Sequence, residues 1–243
     1  MHEKNTVNQD EIEKFDRLAK EWWNPKGKFA PLHKFNPIRQ EYLIDHIAQN
    51  FNLNVKEESP FKNLNIIDIG CGGGLLCEPL SRMGANVTGI DAAKTNIEVA
   101  KIHMKESGLK INYLNTKPEN ISDQKFDVVL CMEIIQHVED VDIFIESCLN
   151  LLKPGGVIFF ATINKTLKSF ALAIVGAEYI LRWLPIGTHE WSKFISPNDI
   201  INKVSKFYLK HIETKGVVFN PLFNKWKLSD DTDVNYMCYF KKD

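Results

Sequence analysis

Four glycines fall within five positions, Gly70, Gly72, Gly73 and Gly74, directly behind a short apolar run, Asn65-Ile66-Ile67-Asp68-Ile69, that carries one carboxylate. A second apolar series at helical spacing, Leu75, Leu76 and Leu80, follows. Strand, glycine turn and helix in that order make a nucleotide-sized cradle. Each glycine lets the backbone approach a ligand, or take positive φ, without a Cβ clash. A tight turn with close helix packing would use the same residues. Asp91 favours the ligand. It follows the strand-like run Asn86–Ile90, and in a doubly wound sheet that end faces the crevice where ligands bind. A carboxylate there can accept hydrogen bonds from both ribose hydroxyls of an adenosine. Its competing use is to cap the helix that begins near Thr95.

The glycine spacing argues against a dinucleotide. A Gly-x-Gly-x-x-Gly series counted from Gly70 needs glycine where Leu75 stands, and counted from Gly72 it needs glycine where Cys77 stands. The chain instead has Asp68-x-Gly70-x-Gly72-x-Gly74, which disfavours a nicotinamide dehydrogenase.

The elements that must position this turn alternate. Strand candidates are Ile66–Ile69, Asn86–Ile90, Ile111–Leu114, Phe126–Cys131 and Gly156–Ala161; helix candidates are Gly74–Met83, Thr95–Glu106 and Val141–Leu152. Alternation implies right-handed crossovers and a mainly parallel sheet. The strands are rich in Val, Ile and Phe with little polar alternation, as helices on both faces require. Ahead of this core, Gln9–Trp23 reads as a helix capped by Asp10. A second helix restarts at Asn36-Pro37, with asparagine as cap and proline in the first turn. Behind the core come a long apolar stretch, Lys168–Pro185, a short helix capped by Ser196-Pro197, and two last strand candidates, Tyr208–Val217 and Val234–Phe240, which suggest an antiparallel edge. The expected organisation is one domain: an N-terminal helical extension over 1–60, a core over 65–163, an apolar insert or lid over 164–196, and C-terminal strands over 197–243.

Composition bounds the partners. The 243 residues suit one domain, and 44% hydrophobic with 25% charged residues is ordinary for a globular chain. A net charge of -1 gives no reason to expect nucleic acid. The five cysteines are scattered and contain no Cys-x-x-Cys pair, so neither a disulfide framework nor a zinc site is indicated. Reduced thiols, no secretory signal and no spanning apolar run point to a cytoplasmic protein.

Taken with their order, Asp68–Gly74, Asp91, Phe126-Asp127-Val128-Val129-Leu130-Cys131 and Leu152-Lys153-Pro154-Gly155-Gly156 resemble the class I methyltransferases that bind S-adenosylmethionine. That resemblance implies a Rossmann-like α/β fold, with a seven-stranded, mostly parallel sheet and an antiparallel last strand. Segments outside those motifs are similar to the ubiquinone-biosynthesis O-methyltransferase family: Phe15…Trp22-Trp23, Leu32–Arg39, Val175–Leu181 and Asp233–Met237. The resemblance implies methylation of ring hydroxyls on polyprenylated phenols and catechols at two steps. It also implies cofactor contacts at Arg39, Gly70, Asp91 and Met132. Gly70 would admit the cofactor to the loop, Asp91 would take the ribose, Met132 would pack near the adenosine, and Arg39 would pair with the methionine carboxylate.

A phenol of pKa ~10 needs a base or an electrophile to become a nucleophile at neutral pH. His137, in Met132-Glu133-Ile134-Ile135-Gln136-His137, follows the fourth strand, and histidine as a residue type suits general-base work near neutral pH. A structural role in holding the loop is its alternative. Glu133, four residues earlier, would share a helical face with it and orient substrate or hold a metal. The family pattern reads Glu-x-x-Glu-His, with the look of a Mg²⁺ site. Here Gln136 replaces the second glutamate, so hard-cation binding is weakened and no metal ligand is assigned.

Lys168–Pro185 is either a helix covering the site or a membrane-surface contact, with Lys168, Arg182 and Trp183 near the headgroups. The second use would make the protein peripheral at the inner face of the membrane, where other enzymes of ubiquinone biosynthesis would meet it. Two other functions fit the same residues. A methyltransferase for a soluble acceptor would ignore liposomes. A non-catalytic S-adenosylmethionine-binding module would be indifferent to loss of His137.

Overall fold

The computed structural model describes residues 6–122, 124–180, 187–220, 223 and 225–243. The first five strands are β1 (Asn65–Ile69), β2 (Asn86–Asp91), β3 (Asn112–Asn115), β4 (Phe126–Met132) and β5 (Leu152–Ile163). The last three are β6 (Leu209–Asn220), β7 (Lys225–Ser229) and β8 (Asn235–Lys242). They form one sheet in the order β3-β2-β1-β4-β5-β8-β6-β7. Pairings among β1 to β5 are parallel, and those of β8 with β5 and β6, and of β6 with β7, are antiparallel.

The sheet thus has eight strands where seven were expected. The added one, β7, folds back on β6 and takes the edge. β8 is antiparallel as anticipated, yet it is not an edge: it lies between β5 and β6, because a hairpin return places it where both neighbours complete its hydrogen bonds.

The helices are α1 (Gln9–Leu18), α2 (Ala30–Phe51), α3 (Cys77–Arg82), α4 (Lys94–Glu106), α5 (Val141–Asn150), a one-turn α6 (Leu167–Ser169) and α7 (Pro197–Ser205). The two sheet faces have separate cores. One gathers Tyr42, Leu43 and Ile47 of α2 with Ile66, Val128 and Phe159. The other gathers Phe144, Ile145 and Cys148 of α5 and Ile200 and Val204 of α7 with Ile67, Val129 and Phe160.

Three helix starts differ from expectation. The cap of α1 is Asn8, whose side chain accepts from the Asp10 and Glu11 amides, and the α-helix ends at Leu18 before a 3₁₀ turn, Ala19–Glu21. α2 starts at Ala30, with Pro31 in its first turn where a missing N–H costs nothing. Pro37 lies inside it, and Asn36, expected as its cap, is instead a buried interior residue. The glycine turn continues to Leu76, so α3 is shorter than Gly74–Met83.

After α6 the apolar insert winds as a π-helix over Phe170–Ile180. Arg182 and Trp183, which were expected near headgroups, lie outside the described residues. Glu178, within the apolar stretch, is fully buried. It accepts from the backbone amides of Gly187 at 2.7 Å and His189 at 2.8 Å, and from His189 Nδ1 at 2.9 Å.

Candidate active site

A cleft of about 710 Å³ opens at the carboxyl ends of β1, β2 and β4. Its floor is the glycine turn. Gly70 has φ +73°, and a Cβ there would stand 2.7 Å from Ile134. Gly72 has φ +53°, and a Cβ there would stand 2.4 Å from the Trp22 ring. Both positions therefore exclude side chains on backbone and on space. Asp91 closes the turn: its Oδ2 accepts from the Gly72 amide at 2.9 Å and its Oδ1 from the Ala93 amide at 2.8 Å. The carboxylate thus shapes the turn and begins α4 while still lining the cleft. Burial raises its pKa, against the lowering pull of the two amides.

The N-terminal segment roofs this floor. Trp22 stacks on Phe29 at 3.9 Å and donates from Nε1 to Asn96 Oδ1 at 2.8 Å, and Trp23 Nε1 donates to the Gly73 carbonyl at 2.9 Å. α1 buries no residue completely. Polar contacts fasten much of it: the Thr95 amide donates to Asp16 Oδ1 at 3.0 Å, and Lys14 Nζ donates to the Gly187 and Thr188 carbonyls at 3.0 Å each.

Arg39 enters from α2 and is almost wholly buried. Its Nη2 donates to Asn36 Oδ1, its guanidinium lies 4.9 Å from the Phe35 ring centroid, and its Nε has no partner. Burial lowers its pKa, while the charges of Glu133 and Asp68 raise it. Burial pushes the Asp68 carboxyl up to about 6, opposed by the thiol of Cys77, which donates to Oδ2 at 3.3 Å, and by Arg39.

Met132 is the last residue of β4, buried and lining the cleft. Glu133 follows at φ +61°, a strained backbone for a residue with a Cβ. This breaks the expected helical face: only Ile135–His137 is helical, as a 3₁₀ turn, so Glu133 and His137 do not project from one helix. They still interact electrostatically. Glu133 Oε2 accepts from Gln136 Nε2 at 3.4 Å, and Oε1 is buried without a partner. Burial raises the Glu133 pKa against the charges of Arg39 and His137. Gln136 in turn accepts from Thr162 Oγ1 at 2.8 Å. His137 Nδ1 lies 2.7 Å from Glu11 Oε2 on the roof helix.

The cleft therefore brings together all six residues expected there: Arg39, Gly70, Asp91, Met132, Glu133 and His137. It adds others. Glu11 had no local signal, since its partner is 126 residues away. His189, in a turn that reads as merely polar, lines the cleft on the buried carboxylate of Glu178. Burial lowers the His189 pKa, and Glu178 opposes this.

These residues do not suit a divalent metal. The Gln136 amide nitrogen, a donor, faces Glu133; its oxygen is taken by Thr162; and His137 Nδ1 is taken by Glu11. Among the described residues no three His, Cys, Asp or Glu side chains group as a ligand set. A nucleoside cofactor does suit them, because the Asp91 carboxylate lines the cleft at the strand ends and Arg39 offers an unpaired buried donor.

Residues 67–160 match the family model described as a methyltransferase domain. The chain also superposes on solved methyltransferases. One is the plantazolicin methyltransferase BpumL in complex with a triazolic analogue and SAH (TM-score 0.65, 17% identity, 97% of this chain and 100% of that one). Another is the magnesium protoporphyrin IX methyltransferase of Synechocystis PCC 6803 with bound SAM (TM-score 0.63, 15% identity, 95% and 91%). The fold is that of the class I methyltransferases.

Relatives narrow the class. The chain is 54% identical over 239 residues to the ubiquinone biosynthesis O-methyltransferase of Pelagibacter ubique (strain HTCC1062), covering 98% of this chain and 99% of that protein. It is 52% identical over 241 residues to that of Chelativorans sp. (strain BNC1), covering 98% and 95%. The chain belongs to the ubiquinone biosynthesis O-methyltransferase family.

Proposed function

We propose that this protein is an S-adenosylmethionine-dependent O-methyltransferase that methylates ring hydroxyls of polyprenylated phenol and catechol intermediates at two steps of ubiquinone biosynthesis. The observation that carries this reading is relatedness over nearly the whole chain, at half identity, to enzymes of that name. The chemistry of the cleft supports it.

S-adenosylmethionine supplies an electrophilic methyl group on a sulfonium. Gly70 gives its backbone room to approach. Asp91 keeps carboxylate lone pairs for the ribose beside those used by Gly72 and Ala93. Met132 packs near the adenosine. Arg39 turns its unpaired Nε toward the amino-acid carboxylate. His137 takes the proton of the phenol through Nε2 while Nδ1–H donates to Glu11. The freed phenol oxygen forms the new C–O bond as the C–S bond breaks, its electron pair going to sulfur. Glu133 Oε1 orients the acceptor hydroxyl, held in place by Gln136 and Thr162. A closed, largely apolar cleft that aligns both groups supplies much of the rate.

One methyltransferase domain carries this chemistry, with residues 1–60 as its roof and 164–196 as its lid. Among the described residues no helix is long and apolar enough to cross a membrane. The insert exposes Leu167, Phe170, Tyr179 and Ile180, a surface suited to lie on a bilayer. We place the protein on the cytoplasmic side, peripheral to the membrane that holds its substrate and beside other enzymes of the route.

The test is transfer from labelled S-adenosylmethionine to a short-prenyl catechol, with and without Mg²⁺. Methyl ether formed in both arms is expected; no transfer in either rejects the reading.

A further inference from the structure

The cleft is larger than its chemistry needs. Beyond the polar group of Arg39, Glu133 and His137 it runs on along an apolar wall. The wall is built by the strand that the seven-stranded expectation lacked. β6 and β7 pair Phe219 with Trp226 and Val217 with Leu228. Alternate residues on a strand share a face, so Val217, Phe219 and Trp226 stand on one side of this hairpin. Trp226 meets Phe219 at 5.4 Å and Phe35 of α2 at 4.9 Å, ring centroid to centroid. Phe35 lies one helical turn before Arg39, whose guanidinium rests on its ring. One turn of α2 therefore carries the boundary between the polar pocket and the apolar wall. Leu172 and Gly176 of the π-helix line the same cleft. That helix turns other apolar residues, Tyr179 and Ile180 among them, outward to solvent.

We infer that this wall, Phe35, Val217, Phe219 and Trp226 with Leu172 and Gly176, is the groove that binds the polyprenyl tail of the acceptor. The ring lies at Glu133 and His137, and the tail leaves past the insert toward its exposed apolar face. The inference rests on the proposed function for the identity of the acceptor. The geometry favours a hydrocarbon chain over a second polar group for three reasons. The groove is continuous with the reacting end, four of its walls are aromatic or branched apolar side chains, and its exit borders an apolar surface.

Two variants test it. Gly176→Leu fills the groove; a Cβ at Gly176 stands 3.3 Å from the Ala171 carbonyl, so the helix backbone must give by a few tenths of an ångström, and circular dichroism checks that the variant is folded. Trp226→Ala empties the groove at a short edge strand. Wild type should show a kcat/KM for a farnesylated catechol about tenfold or more above that for the unprenylated catechol, the gain from a few buried methylenes. Each variant should shrink that ratio toward one, chiefly through KM of the farnesylated substrate. A wild-type ratio near one, or a ratio unmoved in both variants, overturns the groove. Binding of a fluorescent farnesyl probe separates this from failure of the function itself. If neither catechol is methylated but the probe binds wild type and is lost from both variants, the acceptor reading falls and the groove stands. If the probe binds all three equally, the groove falls.

Discussion

Glu11 and His137 meet across the cleft mouth, Oε2 to Nδ1 at 2.7 Å, from a roof helix and a strand-end turn 126 residues apart. A carboxylate only accepts hydrogen bonds, so Nδ1 must donate and Nε2 is left to take a proton. The roof thus sets the tautomer of the proposed base. His137→Gln should lower kcat by about 10²–10⁴-fold. Glu11→Ala removes one charge-assisted bond, worth about 1.5–3 kcal/mol, and should lower kcat at saturating donor by ~10-fold or more. Pre-steady-state transfer across pH reads both effects; unchanged rates in both variants would reject the base assignment.

Stability should depend on pH through Asp68. Its folded pKa, about 6, is above that of an unfolded aspartate, ~3.9. Burial therefore penalises its charged form. The penalty is absent below the unfolded value and accumulates as pH rises toward 6. Glu133 and Asp91, also raised, act in the same direction. Glu11 is lowered, first by its bond to His137, so its contribution is present above the ordinary carboxylate range and is lost in acid. Urea unfolding of Asp68→Asn should show a shallower loss of stability between pH 4 and 6 than wild type. An identical slope would show that Asp68 does not titrate in that window.

Gly70→Ala combines a left-handed backbone with a Cβ 2.7 Å from Ile134. The variant should lose about 1–3 kcal/mol of stability and bind S-adenosylmethionine about tenfold or more weakly. Adding Ile134→Ala should recover the steric part and leave the backbone part. Calorimetric titration with thermal melting distinguishes the two; full recovery would mean that φ costs nothing here.

Gln136 replaces a charge with a relay. Because its amide donates to Glu133 and accepts from Thr162, activity should be indifferent to chelator. Gln136→Glu places a second buried carboxylate beside Glu133, should raise the Glu133 pKa further, and should make turnover fall unless Mg²⁺ is supplied. Chelator-sensitive wild-type turnover would contradict this account.

The insert offers a separate measurement. Replacing Phe170, Tyr179 and Ile180 with serine removes exposed apolar groups that leave the core intact. Vesicle co-sedimentation should drop several-fold, as the lost apolar area predicts, while donor binding persists. Equal sedimentation of wild type and variant would count against membrane contact.

Much of the fold is legible because parallel strands buried on both faces are nearly continuous apolar runs, and helices fall between them. The boundaries of β2 and α4 lie within a residue of those read from the sequence. β7 was missed, although Lys225-Trp226-Lys227-Leu228-Ser229 alternates as an edge strand should; five residues give a weak signal. The π-helix was read only as an apolar run, because i→i+5 winding has neither of the usual periods. Gly70 and Asp91 were legible because backbone chemistry dictates them. Glu11 was not, since nothing near it in sequence marks a carboxylate that will meet a histidine 126 residues away. Glu133 and His137 both line the cleft but not from one helical face: spacing alone does not reveal a left-handed residue.

The roof has a further consequence for turnover. α1 buries no residue completely, although Phe15 and Leu18 pack on the Trp22 cluster, so lifting it costs less than opening the sheet. Spent donor can depart by local fraying while the two cores remain folded. The same fraying withdraws Glu11 from His137, so an open site is also a disarmed one. With His137 as the proposed base, donor exchange and base positioning would then fall at different moments of each cycle.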